Sequence, residues 1–227
     1  MITSVAFDLD DTLYDEVEYC KSGFAAVAEF VGKLANMPAA ERIFDALWKE
    51  FSTGNRTKTF NAAFDKLGVS FDDKLIEQLV EAYRNHRPKI KLPQDSRDAL
   101  NQLSDKYTLA LLTDGFLPAQ KLKVQALGIE KYFKCIIYTE ELGSRFWKPS
   151  PVGFEKLMET LKTKPEHTAY VADNPIKDFI APNKLGILSI QIIRPVRIPR
   201  ESPKDSGVRA KYVIHRLTEL SPLIDRL

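Results

Sequence analysis

The chain has 227 residues, 44% of them hydrophobic and 28% charged, which suits a folded globular protein with a sizeable core and excludes disordered, collagen-like and disulfide-stapled classes. Its 33 Lys and Arg against 31 Asp and Glu leave a formal net charge of +2, too balanced to mark a nucleic-acid or membrane-surface binder by bulk electrostatics. Function must come from a site.

In chain order, Ile2 to Phe7 reads as a buried strand, apolar and without polar alternation. It runs into acids with no basic start or small-residue cleavage site, so the expected location is the cytoplasm. From Tyr14 to Lys91 the pattern is helical. Phe24, Val27, Val31 and Leu34 form one apolar stripe, Ile43, Leu47 and Phe51 a second, and Leu75, Leu79, Ala82 and Tyr83 a third. Roughly a hundred residues separate Phe7 from the next strand at Thr108, where a parallel connection needs only about a dozen. The helical stretch is therefore read as an insert of four or five helices, lid-like and rooted just after the first strand.

Ser96 to Leu103 is the helix leading into a second strand, Thr108 to Leu112. Further strands are expected at Cys135 to Tyr138, Thr168 to Ala172, Ile187 to Ile192 and Tyr212 to Ile214, with Phe154, Leu157, Met158 and Leu161 marking a helix among them. Alternating strands and helices imply an α/β fold, a doubly wound, mainly parallel Rossmann-like sheet that binds ligands beyond its strands' carboxyl ends. The expected division is a core of residues 1–13 and 92–227 with a helical cap of residues 14–91. Cys20 and Cys135 are too far apart in sequence, and in too apolar a setting, to read as a disulfide framework or zinc site.

Four strand ends carry the chemistry. The first closes in Asp8-Leu9-Asp10-Asp11-Thr12, three carboxylates whose mutual repulsion is costly unless a cation or a reaction uses them. The second closes in Thr113-Asp114-Gly115, a hydroxyl and mobile backbone suited to an anionic oxygen. After the third comes Lys148-Pro149, where the proline restricts the lysine's backbone. The fourth closes in Asp173-Asn174-Pro175-Ile176-Lys177-Asp178. Taken singly, each segment also reads as a helix cap or a solvated turn. Together they deliver acids, a hydroxyl and a cation to one rim of the sheet.

These four segments, in this order, resemble the motifs of the haloacid dehalogenase superfamily of phosphohydrolases, and the helical insert resembles its class-one cap. The resemblance spans essentially the whole chain. It implies that Asp8 attacks phosphorus to give an aspartyl-phosphate and that Asp10 protonates the leaving oxygen, then activates water. It further implies Mg²⁺ held by Asp8, the Asp10 carbonyl and Asp173, with Asp178 binding through water or orienting Lys148. Thr113 and Lys148 then serve the phosphoryl oxygens, beside Asp114 and Gly115. Crowding by Asp8 and Asp11 is expected to raise the Asp10 pKa. Ala172 stands where the family commonly has Gly, and Asp114, where Asn is frequent, adds negative charge near the phosphate.

The implied activity is a Mg²⁺-dependent phosphomonoesterase for a small phosphorylated metabolite such as a sugar phosphate, acidic-sugar phosphate or nucleotide. The expected state is monomer or homodimer, with no nucleic-acid or membrane partner. A phosphomutase shares the same core motifs. A haloacid dehalogenase has no leaving alcohol to protonate, so Asp10 argues against it, and a phospho-accepting signalling module is too short and lacks the insert. In the Ser52 to Lys58 loop, Arg56 or Lys58 is the candidate contact for an anionic substrate. His86, His167 and His215 read as packing or surface residues, and the basic run from Arg194 to Lys211 as a solvated loop.

Overall fold

The computed structural model describes residues 1–54, 56–198 and 208–227. In chain order its elements are β1 (Ser4–Phe7), α1 (Glu16–Val31), α2 (Ala40–Ser52), α3 (Thr59–Leu67), α4 (Asp73–Asn85), α5 (Gln94–Ser104), β2 (Thr108–Thr113), α6 (Ala119–Leu127), β3 (Cys135–Tyr138), α7 (Thr139–Leu142), α8 (Val152–Leu161), β4 (Thr168–Ala172), α9 (Ile180–Leu185), β5 (Leu188–Ile192), β6 (Tyr212–Ile214) and α10 (Leu220–Ile224). Packing divides the chain into one unit of Met1–Val17 with Lys91–Leu227 and another of Glu18–Ile90.

The first unit is built on a six-stranded sheet in the order β3-β2-β1-β4-β5-β6. Every described neighbour pair is parallel. The central strands form because they are apolar runs buried on both faces: all four residues of β1 and all five of β4 are buried. Ala6, Ala110, Leu112, Tyr170 and Ala172 share a core cluster with Phe154 and Leu157 of α8 and Ala181 of α9. The pleat turns Val5, Phe7, Leu109, Leu111 and Val171 to the other face, and α5 packs on β2.

The chain winds from β1 out to β3, then returns to place β4 on the other side of β1. That reversal is a topological switch point, where strand connections diverge and leave a crevice at the carboxyl ends. Register fixes what lines it. Phe7 pairs with Leu111 on one side and Val171 on the other, so Asp8, Thr113 and Asp173 emerge at nearly the same height. The Asp8 N–H donates to the Val171 carbonyl at 2.9 Å, extending the ladder to that carboxylate.

The second unit holds most of α1, with α2, α3 and α4, around an aromatic centre. Phe24 packs against Phe51, Phe60 and Tyr83 with ring centroids 5.5, 6.3 and 5.4 Å away. Gly23 permits this approach, since a Cβ there would sit 2.4 Å from the Tyr83 ring. The expected stripe on the first helix overreaches, because α1 ends at Val31 and Leu34 is exposed. On α4 only Leu79 of its proposed stripe is fully buried. No described helix is long and apolar enough to cross a membrane.

Candidate active site

Lys148 is the centre of the constellation. Its Nζ lies 2.6 Å from Asp8 Oδ1, 2.8 Å from Asp178 Oδ1 and 3.0 Å from the Tyr170 hydroxyl, with the lysine side chain wholly buried. Burial opposes a charged ammonium, but the Asp178 and Asp8 carboxylates more than offset it and hold the Lys148 pKa well above its ordinary value. Tyr170 is itself set by an edge-on contact with Phe154, ring centroids 4.8 Å apart.

Asp8, Asp173 and Asp178 each offer an oxygen, all within 4.8 Å of one another and all buried. Burial pushes the Asp8 carboxyl up to about 6; Lys148 pulls against that rise and Asp178 adds to it. Asp178 Oδ2 accepts the Asn174 N–H at 3.0 Å. Its Oδ1, although close to Lys148, lies off the hydrogen-bond axis and has no hydrogen-bond donor. Three buried carboxylates within 4.8 Å of one another, two of them paired with the Lys148 ammonium and one with an oxygen that no donor meets, fit a hard divalent cation that prefers oxygen ligands.

Asp10 and Asp11 turn away from this cluster, so the three acids at the end of β1 do not converge. Asp11 adopts φ 54°, a left-handed conformation Asp tolerates better than most residues, and its carboxylate accepts the N–H groups of Glu16 and Ile198, both at 2.9 Å. Asp10 meets Lys123, Tyr14 and Gln120. Burial acts to raise its pKa, but the Lys123 ammonium and the three donors outweigh it and hold the carboxyl below its ordinary value. The expected rise at Asp10 is thereby reversed, because a lysine from a helix absent from the sequence argument replaces the crowding acids.

Asp114 is likewise occupied. Its Oδ1 accepts the Thr139 hydroxyl at 2.8 Å and the Lys148 N–H at 3.2 Å, and its Oδ2 meets Lys177 Nζ at 2.8 Å. Burial raises its pKa, yet Lys148 and Lys177 outweigh burial and hold it low. The added negative charge expected beside the phosphate is thus met by Lys177, and both carboxylate oxygens serve the protein. Gly115, at φ 135°, leaves room that Gln120 fills.

Thr113, Lys148, Asp8, Asp173 and Asp178 are gathered at one rim. Arg56 is exposed in the helical unit, its guanidinium 5.5 Å over the Phe51 ring. Sequence reasoning missed Gln120, Lys123 and Tyr170. A signal existed for Gln120, because it lies on the stripe of Val124 and Leu127, and a polar residue in an apolar stripe marks a buried contact. Arg194 also departs from the solvated-loop reading, since it is buried against Asp15 and Asp95. Arg200, Glu201, Lys204 and Asp205 of that run lie outside the described residues.

Residues 5–192 match the family described as haloacid dehalogenase-like hydrolase. Among curated proteins, the chain is 28% identical to the glyceraldehyde 3-phosphate phosphatase of Methanopyrus kandleri, covering 100% of this chain and 99% of that one. It is 26% identical to the phosphoserine phosphatase of Thermus thermophilus, covering 86% and 91%. Among solved structures, a 2-haloacid dehalogenase from Pseudomonas syringae pv. Tomato DC3000 shares the fold with a TM-score of 0.69 at 22% identity, covering 100% and 99%.

Proposed function

Because this chain belongs to the haloacid dehalogenase-like hydrolases, we propose that it is a Mg²⁺-dependent phosphomonoesterase acting on a small phosphorylated metabolite in the cytoplasm. The observation that carries this reading is the Lys148 ammonium shared between Asp8 and Asp178, with Thr113 and Asp173 on the same rim. The relatives named as phosphatases of glyceraldehyde 3-phosphate and phosphoserine support a small anionic substrate.

Asp8, fixed by the ladder of β1 and β4, is the nucleophile: its oxygen bonds to phosphorus as the P–O bond to the alcohol breaks. Asp10, which must first take up a proton against the pull of Lys123, gives it to the departing oxygen and then takes one from the water that hydrolyses the aspartyl-phosphate, releasing inorganic phosphate. Thr113 donates to a phosphoryl oxygen, and Lys148 places positive charge where the transition state gathers negative charge. Asp8, Asp173 and Asp178 are the side chains that would hold Mg²⁺, together with the Asp10 carbonyl. Such an ion, when bound, neutralises phosphoryl oxygens and helps keep Asp8 ionised. Lys148 does part of that work itself, and the burial of Asp8 and Lys148 keeps bulk water from both side chains. The helical unit, residues 14–91 in this reading, serves as the lid and selects the leaving group.

The test is a panel of phosphate monoesters, including glyceraldehyde 3-phosphate and phosphoserine, assayed with and without Mg²⁺ against Asp8→Asn. Continuous phosphate release that needs both Mg²⁺ and Asp8 is expected. Full activity in Asp8→Asn would remove the assigned nucleophile.

A further inference from the structure

Asp10 is gripped from α6. Lys123 Nζ lies 2.8 Å from its Oδ1 and 2.9 Å from its Oδ2, Gln120 Nε2 donates to Oδ2 at 2.9 Å, and the Tyr14 hydroxyl donates to Oδ1 at 2.5 Å. The same Gln120 nitrogen donates to Thr113 Oγ1 at 2.9 Å and to the Asp114 carbonyl. The two hydrogens of that nitrogen face three acceptors, so one is shared; an amide nitrogen cannot accept, so in its contact with Gln120 the Thr113 Oγ1 is the acceptor. The Thr113 proton is left with one long contact, 3.4 Å to the Asp114 carbonyl, and is available to an incoming oxygen.

Gln120 and Lys123 are 1% and 5% exposed, and spacing of i, i+3 puts both on one face of α6. A buried ion pair is poor evidence for stabilisation, because desolvating its two charges offsets much of their attraction. Gln120 Oε1 is moreover buried without a donor, a loss that a purely structural contact does not explain. What the arrangement does accomplish is geometric. One helix holds the group that serves the leaving oxygen and aims the hydroxyl that serves the phosphoryl oxygens.

We propose that Gln120 and Lys123 are positioning residues of the hydrolytic cycle, fixing the orientation of the Asp10 carboxylate and the direction of the Thr113 hydroxyl. The proposal rests on the reading of Asp8 as nucleophile and Asp10 as its proton-transfer partner.

The experiment uses p-nitrophenyl phosphate with Mg²⁺, comparing wild type with Asp8→Asn, Gln120→Met, Lys123→Met and Lys123→Arg. Nitrophenolate departs with little help from an acid, so misplacing Asp10 slows mainly the hydrolysis of the phosphoenzyme. Lys123→Met should lower kcat about 10- to 100-fold, part of the range acid–base transfer supplies, and lower KM in step with it, leaving kcat/KM within about threefold of wild type. It should also show a nitrophenolate burst approaching one equivalent per site, and Lys123→Arg should recover part of the turnover. Gln120→Met should lower kcat in the same direction. Turnover within about twofold of wild type and no burst in Lys123→Met would overturn the proposal. So would a loss that follows the unfolded fraction measured by circular dichroism and is unchanged in Lys123→Arg. An inactive Asp8→Asn beside unaffected α6 variants refutes only the positioning roles, whereas an active Asp8→Asn removes the hydrolase assignment of Asp8 and this inference with it.

Discussion

Asp114 Oδ1 accepts the backbone N–H of Lys148 at 3.2 Å, so the lysine that bridges Asp8 and Asp178 is held at its amide by a carboxylate from the end of β2. An asparagine oxygen can accept the same bond and the Thr139 hydroxyl; alanine can accept neither. Asp114→Asn should therefore lower kcat less than about tenfold, and Asp114→Ala about 100-fold, the scale of losing one aligned charge donor. A fall in KM in Asp114→Asn, read by steady-state kinetics, would mean instead that the carboxylate repels the substrate directly.

The Asp8 carboxyl, at about 6 where an ordinary Asp is at 3.8, gives the metal-free protein a distinctive pH dependence. The folded state holds this proton more tightly than the unfolded chain, so the contribution of Asp8 to stability falls as pH rises from 3.8 through 6. Asp8→Asn removes that dependence. In metal-free protein, Asp8→Asn should be more stable relative to wild type at pH 7 than at pH 4, read as a difference in thermal midpoints.

Mg²⁺ must displace the same proton. Its affinity should fall by about tenfold per pH unit below pH 6, with proton release detected by calorimetry in buffers of different ionisation enthalpy. Affinity independent of pH between 5 and 7 would show that Asp8 is not among the ligands.

Arg194 joins the segment leaving β1 to the start of α5: its Nε meets Asp15 at 2.9 Å, and its Nη atoms meet Asp95, each contact at 3.3 Å, and the Thr12 carbonyl at 3.4 Å. Arg194→Met should cost about 1.5–3 kcal/mol, the scale of charge-assisted hydrogen bonds, by urea titration. The two acids keep some access to water, which places the effect below that of a fully buried pair.

Gly115 combines φ 135° with a neighbour 2.9 Å from where a Cβ would lie, the Gln120 side chain. Gly115→Ala should cost about 1–3 kcal/mol in stability and lower kcat by displacing Gln120, both measured on the purified variant.

Much of the sheet was legible because its strands are short apolar runs: β3, β4 and β6 match the expected runs residue for residue, and β1, β2 and β5 differ only at their ends. The four rim segments were legible because each joins charged or hydroxyl residues to a strand end. Helix α3 was harder, being only nine residues long, with no side-chain cap at Lys58. Lys123 was passed over and Arg194 misjudged for a single reason. Long cations read as solvated unless a partner is visible nearby in sequence, and their partners, Asp10 and Asp15, lie far away along the chain. Asp10 was read from its sequence neighbours, whereas Lys123, Tyr14 and Gln120 determine its electrostatics.

Each of β1, β2 and β4, which carry Asp8, Thr113 and Asp173 at their ends, has a strand on either side, while the edges fall to β3 and β6. Amide exchange and fraying start where a strand lacks a neighbour. The margins of the sheet can therefore breathe, as slow deuterium uptake at the centre would record, while the reacting groups stay assembled until the whole unit opens.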